Sequence, residues 1–236
     1  GDRLVSINGQ AIYDVLDYRF HQVESDVDLR LLDATGQPKT VRVQKEEDEE
    51  LGLLFETYLM DEKQTCKNGC IFCFVDQLPP GMRQSLYVKD DDARLSFLHG
   101  NYITLTNLSR REIDRIKQMH LSPMNVSVHT THPELRRRMM KNKRAGDCYA
   151  LLRELAEAGI RLHTQLVLCP GYNDGPELDR TLRELSALYP ALESIAVVPV
   201  GLTAHREGLT AIPAYTEQTA GRVVDQVLHF SQRFYD

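Results

Sequence analysis

No stretch of this sequence stays apolar for long. The most apolar run, Ile195 to Val200, is the length of a strand, far short of the ~20 residues a helix needs to cross a bilayer. Positive charge is not in excess. There are 28 Lys and Arg against 34 Asp and Glu, a net charge of −6 and a pI of about 5.8. That balance removes any global electrostatic case for nucleic acid or an anionic membrane as partner. Tryptophan is absent. Cysteine is scarce and odd in number, five in 236 residues, with three of them in one loop; this is not the framework of a disulfide-stapled secreted domain. Thiols used in this way point to a reducing compartment, and a cytoplasmic location is expected. No internal repeat or low-complexity tract is present. What remains, 42% hydrophobic and 26% charged, is the composition of a globular protein long enough for one large domain or one large and one small. The sequence opens on Gly1-Asp2, without Met or a leader, and reads as a piece of a longer protein.

Residues 1–45 read as a first unit. Alternation in Arg3-Leu4-Val5-Ser6-Ile7 predicts a strand and Asn8-Gly9 a tight turn. Ala11–His21 fits a short helix, and Val27–Leu32 with Val41–Val43 a hairpin about Thr35-Gly36-Gln37-Pro38. The charge run at residues 46–50 reads as an acidic linker. From Leu51 onward strands and helices alternate. Strands are expected at Leu51–Tyr58, Tyr102–Thr106, Asn125–His129, Ile160–Leu168 and Ser194–Val200. Helices are expected after Ser109, with Glu112 completing a capping box, and over Pro133–Met140, Asp147–Ala158, Pro176–Leu188 and Thr216–Phe234. Such alternation implies a parallel sheet, open or closed into a barrel, with functional residues at the C-terminal ends of its strands. The pattern ends on a helix with no sixth strand, so the barrel over 51–236 reads as partial and cut at its C-terminus.

The three clustered cysteines lie in Thr65-Cys66-Lys67-Asn68-Gly69-Cys70-Ile71-Phe72-Cys73-Phe74. Their sulfurs can converge only if the backbone wraps a small object, and Asn68-Gly69 offers a turn that tolerates positive φ. Gathered thiolates repel each other unless a metal neutralises them. Three ligands are fewer than the four cysteines of an electron-transfer cluster, which leaves one iron open. The rival chemistry is a zinc site completed by a histidine or a fourth cysteine. Cys148 and Cys169 fit better as buried small apolar side chains.

The spacing Cys-x3-Cys-x2-Cys, with Phe72 just before the last cysteine and a strand ahead of it, resembles the motif of the radical SAM superfamily. The resemblance implies a partial (β/α) barrel in which Cys66, Cys70 and Cys73 hold a 4Fe–4S cluster. S-adenosylmethionine (SAM) would chelate the open iron, and one electron would cleave it to a 5′-deoxyadenosyl radical that abstracts hydrogen from a substrate. An external one-electron reductant, flavodoxin- or ferredoxin-like, is implied as partner. Phe72 is expected near the adenine. The family's Gly-Gly-Glu segment is replaced by Leu105-Thr106-Asn107, so Thr106 and Asn107 stand in for the carboxylate that holds the SAM amino group. Gln165 is expected at the ribose, with Ser127 and His129 facing the same space.

Residues 76–83, 95–108, 167–174 and 197–203 further resemble an uncharacterised group of bacterial radical SAM proteins. Those carry a PDZ-like domain before the barrel and a domain of unknown function after it. The first unit, Gly-Asp-Arg-Leu-Val-Ser-Ile-Asn-Gly then helix then hairpin, resembles the second half of a PDZ domain; the carboxylate-binding loop of that fold has no counterpart here, and a protein partner is the most the likeness implies. The fold class is thus α/β, a partial barrel preceded by a small β-rich PDZ-like module. Two other readings compete with the enzyme: a PDZ-like adaptor with a structural metal site, and an iron–sulfur electron carrier. Arg136-Arg137-Arg138 with Lys141, Lys143 and Arg144 reads as a solvated helix end rather than an RNA surface. Asp90-Asp91-Asp92 lacks the spaced ligands of a calcium loop and reads as exposed. The catalytic residues and the substrate stay open.

Overall fold

The structure is a computed structural model that describes residues 1–233. The chain divides into two compact units, Gly1–Lys63 and a second that begins at Gln64.

In the first unit, strands β1 (Arg3–Ile7) and β2 (Gln10–Ala11) form a hairpin that pairs Ile7 with Gln10. Asn8 and Gly9 make its turn, with φ of 47° and 80°, the left-handed pair a two-residue hairpin loop demands. Strands β3 (Asp26–Leu32) and β4 (Pro38–Gln44) follow, and the antiparallel order is β2-β1-β3-β4. Helix α1 (Val15–His21) is capped by the Asp14 carboxylate, which accepts from the Leu16 and Asp17 amides. It starts later than Ala11 because Gln10 and Ala11 pair with β1. Ile7, Ile12, Tyr18, Val27 and Leu29 form the core.

Leu51–Tyr58, expected as the strand that opens the barrel, is not a strand. Its alternation is real, but Leu51, Leu53 and Phe55 turn inward to cover the first unit's own core. Phe55 meets Tyr18 edge-on at 4.9 Å.

The second unit contains a parallel sheet of β5 (Met124–Ser127), β6 (Leu162–Leu168) and β7 (Leu192–Pro199), in that order. The helices are α2 (Ala93–His99), α3 (Arg110–Gln118), α4 (Pro133–Met140), α5 (Cys148–Glu157), α6 (Pro176–Ser186) and α7 (Glu217–Gln232). Parallel strands need such crossovers, since a tight turn cannot return the chain to the same end. The Ser109–Glu112 capping box is formed as expected. Phe234, the expected end of the last helix, lies outside the described residues. Leu152 and Leu155 of α5 and Leu178 and Leu185 of α6 are fully buried, each such leucine contributing about 1.5–3 kcal/mol. The strand expected at Tyr102–Thr106 contracts to one parallel bridge between Ile103 and Val126. Leu105 turns at φ 63°, and the Thr104 amide bonds to Asp91 Oδ1 at 2.6 Å instead of continuing a ladder. No helix among the described residues is long and apolar enough to cross a membrane.

Central strand β6 alternates. Leu162, Thr164, Leu166 and Leu168 are buried, whereas His163, Gln165 and Val167 are half-buried on the other face. Val167 packs there against a cluster of Ile71, Leu135, Met139, Cys169, Val200 and Ile212. This second face carries the cysteine loop.

Candidate functional site

The loop is tied down along its length. The Cys66 amide donates to the Lys89 carbonyl at 2.9 Å, the Gly69 amide to Met140 O at 3.0 Å and the Ile71 amide to Met139 O at 2.9 Å. A helix leaves its last carbonyls without partners, and the loop supplies two of them for α4. Beyond Cys73 a 3-10 turn, Val75–Gln77, buries Gln77. Its side-chain Nε2 donates back to Cys73 O at 3.2 Å, and Thr203 Oγ1 donates to Gln77 O at 2.8 Å. Neither Asn68 nor Gly69 adopts the left-handed backbone their pairing suggested. The path is set by the bonds to α4 instead, and a side chain at 69 would stand 3.5 Å from Lys141.

Cys66, Cys70 and Cys73 are free and half-buried. Burial, then the neighbouring Cys66 and Cys73, pushes the Cys70 thiol up to about 12, against the lowering pull of Arg136. Burial also raises the Cys66 thiol, opposed by the N–H groups of Asn68. The three sulfurs therefore lie within one another's field. Among the described residues, no three His, Cys, Asp or Glu are drawn together as a single metal ion requires. A four-iron cubane is wider than an ion, and its sulfur ligands stand further apart. Cys148 and Cys169 are buried, as expected of small apolar side chains.

Beneath the loop lies a buried polar frame that the sequence did not announce. Asn68 donates from Nδ2 to Cys66 Sγ at 3.2 Å and to Thr104 Oγ1 at 3.0 Å. Its Oδ1 accepts from Thr106 Oγ1 at 3.0 Å and from Asn142 Nδ2 at 2.8 Å. Thr104 Oγ1 donates to Asp91 Oδ2 at 2.5 Å. Asp91 and Asp92, read from sequence as exposed, are buried at 2% and 1% exposure. Burial raises the Asp91 carboxyl. Burial works the same way on Asp92, yet hydrogen bonds from Arg94 and from the Gln64 amide bring its carboxyl below the usual range. The acidic triplet is thus a cap and an anchor rather than a loop: Asp92 caps α2, and Asp91 holds Thr104.

Arg136 overturns the reading of a wholly solvated basic stretch. It is 1% exposed and donates to Val128 O, Ala145 O, Thr104 O and Ser127 O at 2.7–2.9 Å. Its place was legible: Arg136 is three and four residues before Met139 and Met140, on the buried face of α4. Arg138, Lys141, Lys143 and Arg144 are exposed, as expected.

Ser127 and Gln165 are register partners on neighbouring strands, so their side chains share the face that Val167 presents to the loop. The Gln165 side-chain amide has no hydrogen-bond partner among the described residues. Phe72 stacks obliquely on His129, centroids 4.4 Å apart. His129 holds φ 66°, accepts at Nδ1 from the Val167 amide at 3.2 Å and at its carbonyl from Asn173 Nδ2 at 2.8 Å. Burial keeps its pKa well below 6.5, so the ring is neutral. Thr106 is 3% exposed and turned into the frame beneath the loop. Asn107 donates to Thr65 O at 2.9 Å and Asp91 O at 3.3 Å. These bonds fix the side-chain amide's orientation and leave its Oδ1 buried with no partner among the described residues, an acceptor open to an outside donor. Phe72, Ser127, Gln165 and His129 thus gather about one sheet face, and Thr106 and Asn107 flank the cysteine loop. Asn68, Asp91 and Arg136 are the members that sequence reasoning missed.

Fold and site together define an α/β domain that presents three free thiols on an ordered loop over a parallel sheet. A family model described as a radical SAM-like domain matches residues 45–195, and the chain belongs to that family. Among solved structures it is similar to the crystal structure of Streptococcus suis SuiB, with 13% identity and a TM-score of 0.41. The alignment covers 53% of this chain and 28% of that one. No curated protein matches the sequence.

Proposed function

We propose that this chain is the core of a radical SAM enzyme in which Cys66, Cys70 and Cys73 hold a 4Fe–4S cluster. The observation that carries the reading is the loop itself: three free, half-buried thiols at Cys-x3-Cys-x2-Cys spacing, on a backbone already shaped by α4. Two features of the chain fit the second cofactor. The unpartnered Asn107 Oδ1 suits the ammonium of SAM. Phe72, which contacts the neutral His129 and packs against the Ile71 cluster, offers an aromatic face for the adenine. When bound, cluster and SAM together supply the one-electron cleavage that yields a 5′-deoxyadenosyl radical for hydrogen abstraction. The residues' own work is to orient and to exclude water. Asn107 accepts the amino group, Ser127 and Gln165 offer a hydroxyl and an amide to the ribose, and the cluster of Ile71, Val200 and Ile212 keeps the loop's inner side dry. The reading extends to a partial barrel, an external one-electron reductant and a cytoplasmic setting. Residues 1–45 are read as a partial PDZ-like module with a protein partner, in line with the PDZ-containing members of the family.

Anaerobic reconstitution followed by dithionite and SAM tests this. The wild type should carry about four irons per chain and release 5′-deoxyadenosine, and alanine at any of the three cysteines should abolish both. One zinc and no iron would favour an adaptor with a structural metal. A cluster whose EPR spectrum ignores added SAM would favour an electron carrier.

A further inference from the structure

A cluster's reduction potential depends on its charge, its burial and the hydrogen bonds its sulfurs receive. In this chain one side-chain donor to a cysteine sulfur stands out for how firmly it is held. Asn68 is 7% exposed, and an amide has two hydrogens to give and two lone pairs to fill. All four are accounted for. The hydrogens go to Cys66 Sγ and Thr104 Oγ1, and the lone pairs receive Thr106 Oγ1 and Asn142 Nδ2. The amide cannot flip without breaking two donor bonds and two acceptor bonds, so an N–H is the group that faces the sulfur. The frame behind it is equally fixed. Arg136 holds the Thr104 carbonyl at 2.9 Å, and Asp91 holds the Thr104 amide and hydroxyl at 2.6 and 2.5 Å.

A merely structural asparagine would need only enough bonds to satisfy its buried amide. Asn68 instead directs one of its two hydrogens to the sulfur. Hydrogen bonds to an ionised sulfur are stronger than those to a neutral one. The sulfurs of a reduced cluster carry more negative charge than those of the oxidised form, so the bond favours reduction.

We infer that Asn68 is a positioning residue that raises the reduction potential of the cluster bound at Cys66, Cys70 and Cys73. The inference rests on the four-iron reading above. It assigns to this chain a device that brings the cluster within range of a modest one-electron donor.

The test compares wild type with Asn68→Leu, which keeps the volume and removes the donor, and Asn68→Asp, which keeps the shape and puts an oxygen where the N–H was. Each protein is reconstituted without oxygen and its iron and sulfide are counted. The cluster is then titrated potentiometrically with EPR detection. At the wild-type midpoint the ratio of reduced to oxidised cluster should fall about tenfold in Asn68→Leu, the scale of one charge-assisted hydrogen bond, and further in Asn68→Asp. A variant that holds a full cluster with the wild-type midpoint overturns the inference. So does failure of both variants to assemble a cluster that the wild type assembles, because Asn68 then serves the loop's folding alone. A wild type that takes up no iron removes the four-iron reading itself, a different result from either.

Discussion

Replacing Arg136 with Met is the sharpest test of how the second unit is held together. The guanidinium is almost wholly buried and its partners are backbone carbonyls, not carboxylates. They lie on three stretches of chain: the end of β5 with the residue after it, the loop before α5, and the Thr104 segment that joins the sheet by a single bridge. Hydrogen bonds to a charged group are worth about 1.5–3 kcal/mol each, so four give a gross loss of about 6–12 kcal/mol. Methionine also relieves the desolvation of a buried cation, several kcal/mol in the other direction. The net destabilisation should be about 3–5 kcal/mol, a large part of the roughly 5–15 kcal/mol that holds a domain together. Arg136→Lys should recover little, because a compact ammonium cannot span four divergent carbonyls. Tryptophan is absent and the chain has two units, so the suitable assays are urea unfolding by far-UV circular dichroism and hydrogen exchange of the β5 and β6 amides. A cost under ~1 kcal/mol for Arg136→Met, the range of an ordinary surface change, would refute the account of Arg136 as the second unit's central tie.

Three further outcomes are expected. His129 is held neutral by burial, so its folded pKa lies below the unfolded one; its contribution is complete above about pH 6.5 and is lost as pH falls, with a slope of at most about 1.4 kcal/mol per pH unit. His129→Asn tolerates the positive φ, and its urea midpoint should vary less than that of the wild type between about pH 6.5 and 5. Asp92 has a depressed pKa, so its stabilisation is present above about pH 4 and fades as pH falls through the lowered value. Asp92→Asn should cost about 3 kcal/mol near neutrality, and the two proteins' melting temperatures should converge in acid. Burial raises the Cys66 and Cys70 thiols, and a metal must displace their protons. Iron uptake during reconstitution should therefore rise steeply with pH, as followed by the visible absorbance of the cluster.

Sequence reasoning found what local chemistry dictates. The Asn8-Gly9 turn, the Ser109 capping box and the three parallel strands all leave periodic or positional marks. The spacing of Cys66, Cys70 and Cys73 is equally local and reads directly from the sequence, and the site built on it is a proposal. Leu51–Tyr58 misled because alternation reports a buried face, not a hydrogen-bonded neighbour; the face was there and the ladder was not. Arg136, Asp91 and Asp92 misled because charge reads as exposure until tertiary partners are known. Thr104, which binds Asp91 and Arg136, lies 13 and 32 residues from them, beyond any local pattern. From sequence Asn68 reads as a turn former, the commonest use of that residue beside glycine. Only the fold reveals that Thr104, Thr106 and Asn142 converge on it.

The attachment of the cysteine loop to the end of α4 has a consequence for maturation. Because the Gly69 and Ile71 amides finish that helix, the cysteine-bearing segment acquires its shape when α4 docks, which on the proposed four-iron reading precedes any iron. Cofactor insertion then resembles filling a finished mould more than casting one. A chain stripped of iron by oxygen would keep the receptor intact and could be reloaded with iron and sulfide without passing through an unfolded state.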